Sequence, residues 1–387
     1  MNILVTGFAF VRKNILEVFD HYPGSEKIFF LLPQKWEIKG GKYVYKPPVA
    51  DNIYTARSFF SHSQYPLIGG LLKGWTPFLP CFLIARRSLE INLLYSAMEP
   101  ALLSTLYEGI WAKLFGLKHV IFTWENIHYR SKFRGINLWL KELLIRLNLF
   151  FSDAIVCGNP KAAEIIANYT TKPQPVIPIS GINHKFFCKV EGIRTFRSHN
   201  FENKIVYAFV GSISYRKGIH LIIEAFRNVH RQIPNAMLVI AGTGEYEKEI
   251  ENHISQSGLA EAIIRLPWIS HNEIQSLLSA VDVFIYPSIS YKGWEEQMGY
   301  SAMEASLLEL PVIASDSGNL SEIVKDGETG ILVAAGNAEM LERAMIELGL
   351  NPELRRKLGQ KGRQFIIDNF SHEVVAKKYE RLFKIFK

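Results

Sequence analysis

Cysteine is scarce in this 387-residue chain: only Cys81, Cys157 and Cys188, far apart and with no Cys-x-x-Cys pair. That excludes a disulfide framework and a cysteine-based zinc site. Long apolar runs are missing too. The best candidate for a membrane span, GWTPFLPCFLIA from Gly74 to Ala85, is about a dozen residues with two prolines, where roughly 20 are needed to cross a bilayer. The amino terminus MNILVTG has neither the basic nor the apolar region of a signal peptide and reads directly as a buried strand, so the expected location is cytoplasmic. Internal repeats and low-complexity tracts are absent. With 48% hydrophobic and 21% charged residues, the composition is that of a folded protein, long enough for two cores.

The charge is unevenly placed. Lys and Arg outnumber Asp and Glu by 20 to 12 over residues 1–180, are outnumbered 14 to 21 over 181–350, and again exceed them 10 to 4 over 351–387. A basic first half and tail around an acidic middle suggest a face that meets something anionic, such as lipid phosphate.

Short β-rich apolar runs alternate with helical patterns, the signature of parallel sheets with crossover helices. Candidate strands in the first half are NILVTG, EKIFFLLP, INLLYSA, KHVIFTWEN, DAIVCG and PQPVIPIS. The second half offers KIVYAFVGS, AMLVIAGTG, IIRLPWI, VDVFIYPS, LPVIASDSG and GILVAA. Two such sets predict two doubly wound domains, 1–180 and 204–365, with the turn-rich stretch 181–203 as linker and a terminal helix in 366–387.

The strongest chemical signal follows the strand VDVFIYPS. A loop, SISYKGW, leads into the helix of EEQMGYSAMEAS, which places Glu296 before the helix and Glu304 in its second turn. Both carboxylates then face one ligand from the carboxyl edge of a parallel sheet, and the free amides around Gly299 and Tyr300 offer an anion site. In FVGSISYRKGIHLIIEAF a strand ends at Gly211, and Lys217-Gly218 opens a helix with Ile219, Leu221, Ile222, Ala225 and Phe226 at helical spacing. A lysine at such a mouth can neutralise phosphate.

These segments, with ELPVIASDSGNLSEIVKDGETGILV downstream, resemble the E-x7-E region of glycosyltransferase family 4. The resemblance implies a GT-B fold: two Rossmann-like doubly wound domains facing a central cleft, with the C-terminal helix crossing back to the N-terminal domain. It implies a retaining, metal-independent transfer of a sugar from a nucleotide diphosphate sugar, UDP- or GDP-linked, to a glycan or lipid-linked acceptor. No cofactor, metal or nucleic acid is expected. The acceptor would bind the first domain and the donor the second.

By position, Glu304 would bind the nucleotide ribose, Glu296 would lie by the donor sugar, and Lys217 would bind the diphosphate. Met298, Gly299 and Tyr300 would offer backbone amides. The arginine that the family often has after the strand glycine is Ser212 here, and Arg216 is the candidate replacement. Gly242 and Gly244 in AGTGEYEKEI resemble the loop beneath the nucleotide, and Trp268 and Ile269 in LPWISHNEI the segment by the base. In the first half, Gly7 ends the first strand and would let the backbone approach the donor phosphates or the acceptor. At KHVIFTWENIHYR, Trp124 occupies the place of the family's usual histidine, which leaves Glu125, Asn126 and His128 as candidate catalytic partners. No Asp-x-Asp occurs, which argues against the metal-dependent GT-A alternative. A nucleotide-sugar epimerase of the same fold and a non-catalytic sugar-nucleotide-binding subunit remain as alternatives. The segment YRSKFRGINLWLKELLIRLNLFF and the tail basic residues Lys377, Lys378, Arg381, Lys384 and Lys387 suit peripheral contact with an anionic membrane, while an ordinary crossover helix explains the first segment equally well.

Overall fold

A computed structural model describes residues 1–37, 44–61 and 70–387. The chain divides into two compact units: Met1–Gly181 with His372–Lys387, and Ile182–Ser371.

The first unit is built on six parallel strands, β1 (Asn2–Thr6), β2 (Lys27–Pro33), β3 (Ile53–Ala56), β4 (Ile91–Ser96), β5 (Lys118–Thr123) and β6 (Ala154–Cys157), in the order β3-β2-β1-β4-β5-β6. Successive residues of one strand point to opposite faces, and both faces are apolar because both are covered. Ile3, Val5, Leu93, Tyr95, Val120 and Phe122 enter one core, and Leu4, Leu31 and Leu94 enter another with Leu79, Leu83 and Ala112. Two crossover helices of this unit, α1 (Leu103–Leu114) and α2 (Gly135–Phe151), pack against each other.

The final helix, His372–Lys384, completes the first core. Val375, Ala376, Tyr379, Leu382 and Phe383 recur at the spacing of one helical face, and all are buried. The Tyr379 hydroxyl lies 3.2 Å from that of Tyr95. The return therefore begins at His372. Residues 366–371, grouped with it by sequence, finish the helix Pro352–Phe370 of the second unit.

The run PQPVIPIS, expected as the sixth strand, is not one. It lies beside β6 and makes a single bridge, Cys157 to Val176. Ile155 and Cys157 donate to the carbonyls of Pro173 and Pro175, but prolines at 173, 175 and 178 have no N–H to continue a ladder. Its place in the sheet is taken at the other edge by β3, a four-residue strand.

In the second unit six parallel strands, β7 (Ile205–Val210), β8 (Ala236–Ala241), β9 (Ile263–Leu266), β10 (Val283–Tyr286), β11 (Val312–Asp316) and β12 (Gly330–Ala334), run in the order β9-β8-β7-β10-β11-β12. All six lie within the runs read from the sequence. The stretch 181–203 was expected as a linker; from Ile182 on it groups with this unit and packs on it: Phe187, Phe196 and Phe201 are buried. Arg194 holds Asp282 at 3.0 and 3.2 Å, and Asp282 in turn accepts from the Val206 amide at the start of β7.

The strand order reverses between β7 and β10, and the loops after these two strands open the crevice where sheets of this kind bind ligands. In the first unit the matching point lies between β1 and β4.

Candidate active site

The loop after β7 turns through Tyr215–Lys217 and enters a helix at Ile219, α3 (Ile219–Gln232), by way of Gly218. Gly218 has φ +67°, and a Cβ there would sit 2.1 Å from the Pro287 carbonyl oxygen, so the two loops at the reversal pack backbone to backbone. The loop after β10 is pinned in the same way. Gly318, φ +59°, approaches Glu296 so closely that a Cβ would meet its carbonyl oxygen at 2.1 Å, and the Asn319 amide donates to that carbonyl at 2.9 Å.

This packing brings the second-half candidates together. The Lys217 ammonium donates to a Glu296 carboxylate oxygen at 2.5 Å and to the Tyr286 hydroxyl at 2.5 Å. Ser288 donates to the same Glu296 oxygen at 3.0 Å. Lys217 and Glu296 are both buried. Burial holds the Lys217 pKa below its ordinary value, against the pull of Glu296 and with a further push from Arg216. Arg216 itself lies over the Trp294 ring, its guanidinium carbon 3.9 Å from the centroid.

Glu304 is the fifth residue of the helix Tyr300–Leu307, α4, which starts at Gly299 in a left-handed conformation. It is 9% exposed, and burial pushes its carboxyl up to about 8. Tyr286 registers both carboxylates: its phenol is held well above the ordinary value by burial first, then by Glu296, with Glu304 adding to the effect. Met298 is buried just before Gly299, and Tyr300 follows it.

The remaining second-unit candidates line the neighbouring loops. Gly211 follows β7, and Ser212 after it is exposed. Gly242 and Gly244 follow β8, where Gly244 donates its amide to Glu247. After β9, Trp268 is 53% exposed while the Ile269 side chain is in the core.

In the first unit, Gly7 follows β1 with φ 123° against Ala97. Glu125 lies after β5 and is held by Lys132 at 2.6 and 2.7 Å, with the Ile127 amide donating to it at 3.1 Å. Asn126 is buried and His128 exposed. Glu99, which sequence reasoning passed over, organises this loop: one oxygen accepts from the Thr123 hydroxyl at 2.6 Å, the other from the Trp124 amide at 2.9 Å. Burial and the neighbouring Glu125 raise its carboxyl to about 7. Tyr286, Ser288 and Trp294 were also passed over. The first two close a strand read only as apolar, and the third lies in a loop whose length hides its fold.

No helix among the described residues is long and apolar enough to cross a membrane. No cluster of three metal-binding side chains occurs among them either.

Residues 193–365 match the family model described as Glycosyl transferases group 1. The alpha-maltose-1-phosphate synthase of Mycolicibacterium smegmatis is 32% identical over 197 residues, 47% of this chain and 48% of that protein. The chain thus spans about half the length of that relative. The fold of the whole chain is shared with sucrose-phosphate synthase from Thermosynechococcus elongatus, at TM-score 0.74 and 19% identity over 100% of this chain and 99% of that one. It is shared too with HepE of Anabaena in complex with UDP, at TM-score 0.72 and 16% identity over 99% and 100%. The chain has the GT-B fold, and its residues 193–365 match the glycosyl transferases group 1 model.

Proposed function

We propose that this protein is a retaining, metal-independent glycosyltransferase that moves a sugar from a nucleotide diphosphate sugar to a glycan or lipid-linked acceptor. The observation that carries the reading is the cluster at the β7/β10 reversal: two adjacent cations, two buried carboxylates and a helix start, all at the carboxyl edge of one sheet.

Cleavage of the donor builds negative charge on the departing diphosphate and positive charge at the anomeric carbon. Lys217 and Arg216, with the amides at Gly299 and Tyr300, supply positive potential to the first. Glu296, beside the sugar, faces the second. The Lys217–Glu296 contact orients both groups before the donor arrives, so little reorganisation is needed as charge develops. Glu304 accepts hydrogen bonds from the ribose hydroxyls, and exposed Trp268 offers a face to the base. The acceptor attacks from the side that the leaving group vacates, and its proton passes to the leaving phosphate. The first domain receives the acceptor; Glu125, Asn126 and His128 in the loop after β5 are the candidate catalytic partners, and Gly7 after β1 lets the backbone approach the donor phosphates or the acceptor.

The donor is UDP- or GDP-linked, and UDP bound to HepE favours the first. Peripheral attachment to an anionic membrane is supported by Ile136, Trp139, Leu143 and Phe150, which form an exposed apolar stripe on α2 while Leu144, Ile145 and Leu149 pack the core. The basic residues once grouped with this stripe are partly engaged: Arg130 pairs with Glu142, and Lys132 with Glu125. Attachment then leans on the apolar stripe with Arg134 and Arg146.

Incubation with a panel of nucleotide sugars, following slow release of free nucleoside diphosphate, tests the reading. Release from one donor supports a transferase. Binding without release indicates a non-catalytic subunit, and interconversion of the sugar without release an epimerase.

A further inference from the structure

Arg216 occupies an unusual setting. It neighbours the Lys217 ammonium, whose charge is met by Glu296. Among the described residues, the Arg216 guanidinium itself has neither a carboxylate partner nor a hydrogen-bond acceptor. What it has is the face of Trp294 at 3.9 Å, and Lys217 lies 5.3 Å from the same ring. An aromatic face attracts a cation without using its N–H groups, so the edge donors of the guanidinium stay unspent.

Trp294 is itself fixed by local structure. Tyr291 and Trp294 exchange both backbone hydrogen bonds at 3.0 Å, and between them Lys292 and Gly293 have φ 47° and 72°. That is the two-residue turn of a tight hairpin. The hairpin grips the loop after β7 at successive residues. Tyr291 packs on Tyr215 with ring centroids 4.7 Å apart, Trp294 covers Arg216, and the Ile289 amide donates to the Arg216 carbonyl at 2.8 Å. On its other side Tyr215 stacks on His220.

We infer that Trp294 is a positioning residue: it holds Arg216 flat beside Lys217, so that the free edge of the guanidinium meets the donor diphosphate and supplies the second cation that Ser212 does not. The inference rests on the proposed donor site. Its distinct content is that the hairpin 291–294 sets phosphate affinity through Arg216 alone, without touching the nucleotide.

A double-mutant cycle on the full chain separates this from a structural role. UDP and GDP binding would be measured by calorimetry for the wild type, Trp294→Ala, Trp294→Phe, Arg216→Ala and the double variant Trp294→Ala with Arg216→Ala. The expected result is about tenfold weaker binding of the nucleoside diphosphate by Trp294→Ala, within the range of a partly desolvated cation–aromatic contact. Trp294→Phe keeps most of the affinity, and Trp294→Ala has no further effect once Arg216 is alanine. UMP and GMP, which lack the second phosphate, show a smaller loss. An equal loss in the presence and absence of Arg216 overturns the inference, as does unchanged affinity in Trp294→Ala. If the wild type binds neither nucleoside diphosphate, the donor-site reading itself falls, and the inference falls with it. Wild-type binding with no coupling sinks the inference alone.

Discussion

Glutamine at position 304 keeps the size of the side chain and removes its charge, which isolates what the buried carboxylate does for the donor. In the free protein, burial raises Glu304 to about 8, so near neutrality much of it is protonated. Two ribose hydroxyls donating to the ionised carboxylate contribute about 1.5 to 3 kcal/mol, or about 10- to 100-fold in Kd. Binding to the ionised form must also expel the proton. UDP affinity should therefore rise with pH up to about pH 8 and then level off. Glu304→Gln should bind more weakly and lose that rise.

The same shift bears on stability, with a definite sign. A carboxyl whose pKa is raised in the folded state favours folding fully below its ordinary value of 4.5, and that contribution is lost as pH rises through about 8. At about 1.4 kcal/mol per pKa unit, the loss is at most about 5 kcal/mol. The ligand-free wild type should melt at lower temperature at pH 8.5 than at pH 5. Glu304→Gln should flatten that decline in part, because Glu99 and Glu108, both raised to about 7 by burial, remain. Calorimetry at pH 6, 7 and 8.5, with proton release read from buffers of different ionisation enthalpy, measures the binding side. An affinity that is independent of pH and unchanged in a well-folded Glu304→Gln would refute the ribose assignment.

Lys217→Ala should lower kcat more than donor affinity, since charge on the leaving group is greatest in the transition state. Steady-state kinetics checks this, and intact rates in both Lys217→Ala and Arg216→Ala would remove the phosphate cradle. Activity should persist in a metal chelator. Loss on chelation with rescue by manganese would instead require a metal-assisted departure. The protein should cosediment with anionic but not neutral vesicles and come off in salt, with Trp139→Ala weakening the interaction. Equal failure on both vesicle types would leave the exposed stripe of α2 without a membrane role. Phe383→Ala should destabilise the first unit by about 3 to 5 kcal/mol, because the ring is wholly buried in its core. A thermal midpoint within a degree of the wild type would contradict the packing of the final helix.

The second sheet was legible because each of its strands but the last is a short apolar run closed by a glycine, a proline or a serine, and a sheet covered on both faces needs nothing subtler. The first sheet misled at one edge. PQPVIPIS has the apolar content of a strand, but a ladder depends on N–H groups, and alternate prolines withhold them. The replacement, Ile53–Ala56, is too short to stand out. In the site, Lys217 and Glu296 were visible from their places in the loops after β7 and β10, just before a helix starts. Their contact with Tyr286 and Ser288 was not, because it depends on the backbone approach of Gly218 to Pro287. Glu99 was invisible for a similar reason: its partners lie 24 and 25 residues away and meet it only through strand pairing. Trp294 was hidden by a turn whose signal, Lys-Gly, is weaker than the usual Asn-Gly.

The most direct test of the central claim, that the second-unit cluster activates a nucleoside diphosphate leaving group, is turnover of a nucleotide-sugar panel by three proteins: wild type, Lys217→Ala and Glu296→Gln. Proton NMR would read both the released diphosphate and the anomeric configuration of the product. The account predicts release from one donor by the wild type, a product that keeps the donor's configuration, and a large loss of rate in both variants with donor still bound. Release at equal rates by all three proteins, or a product of inverted configuration, would contradict it.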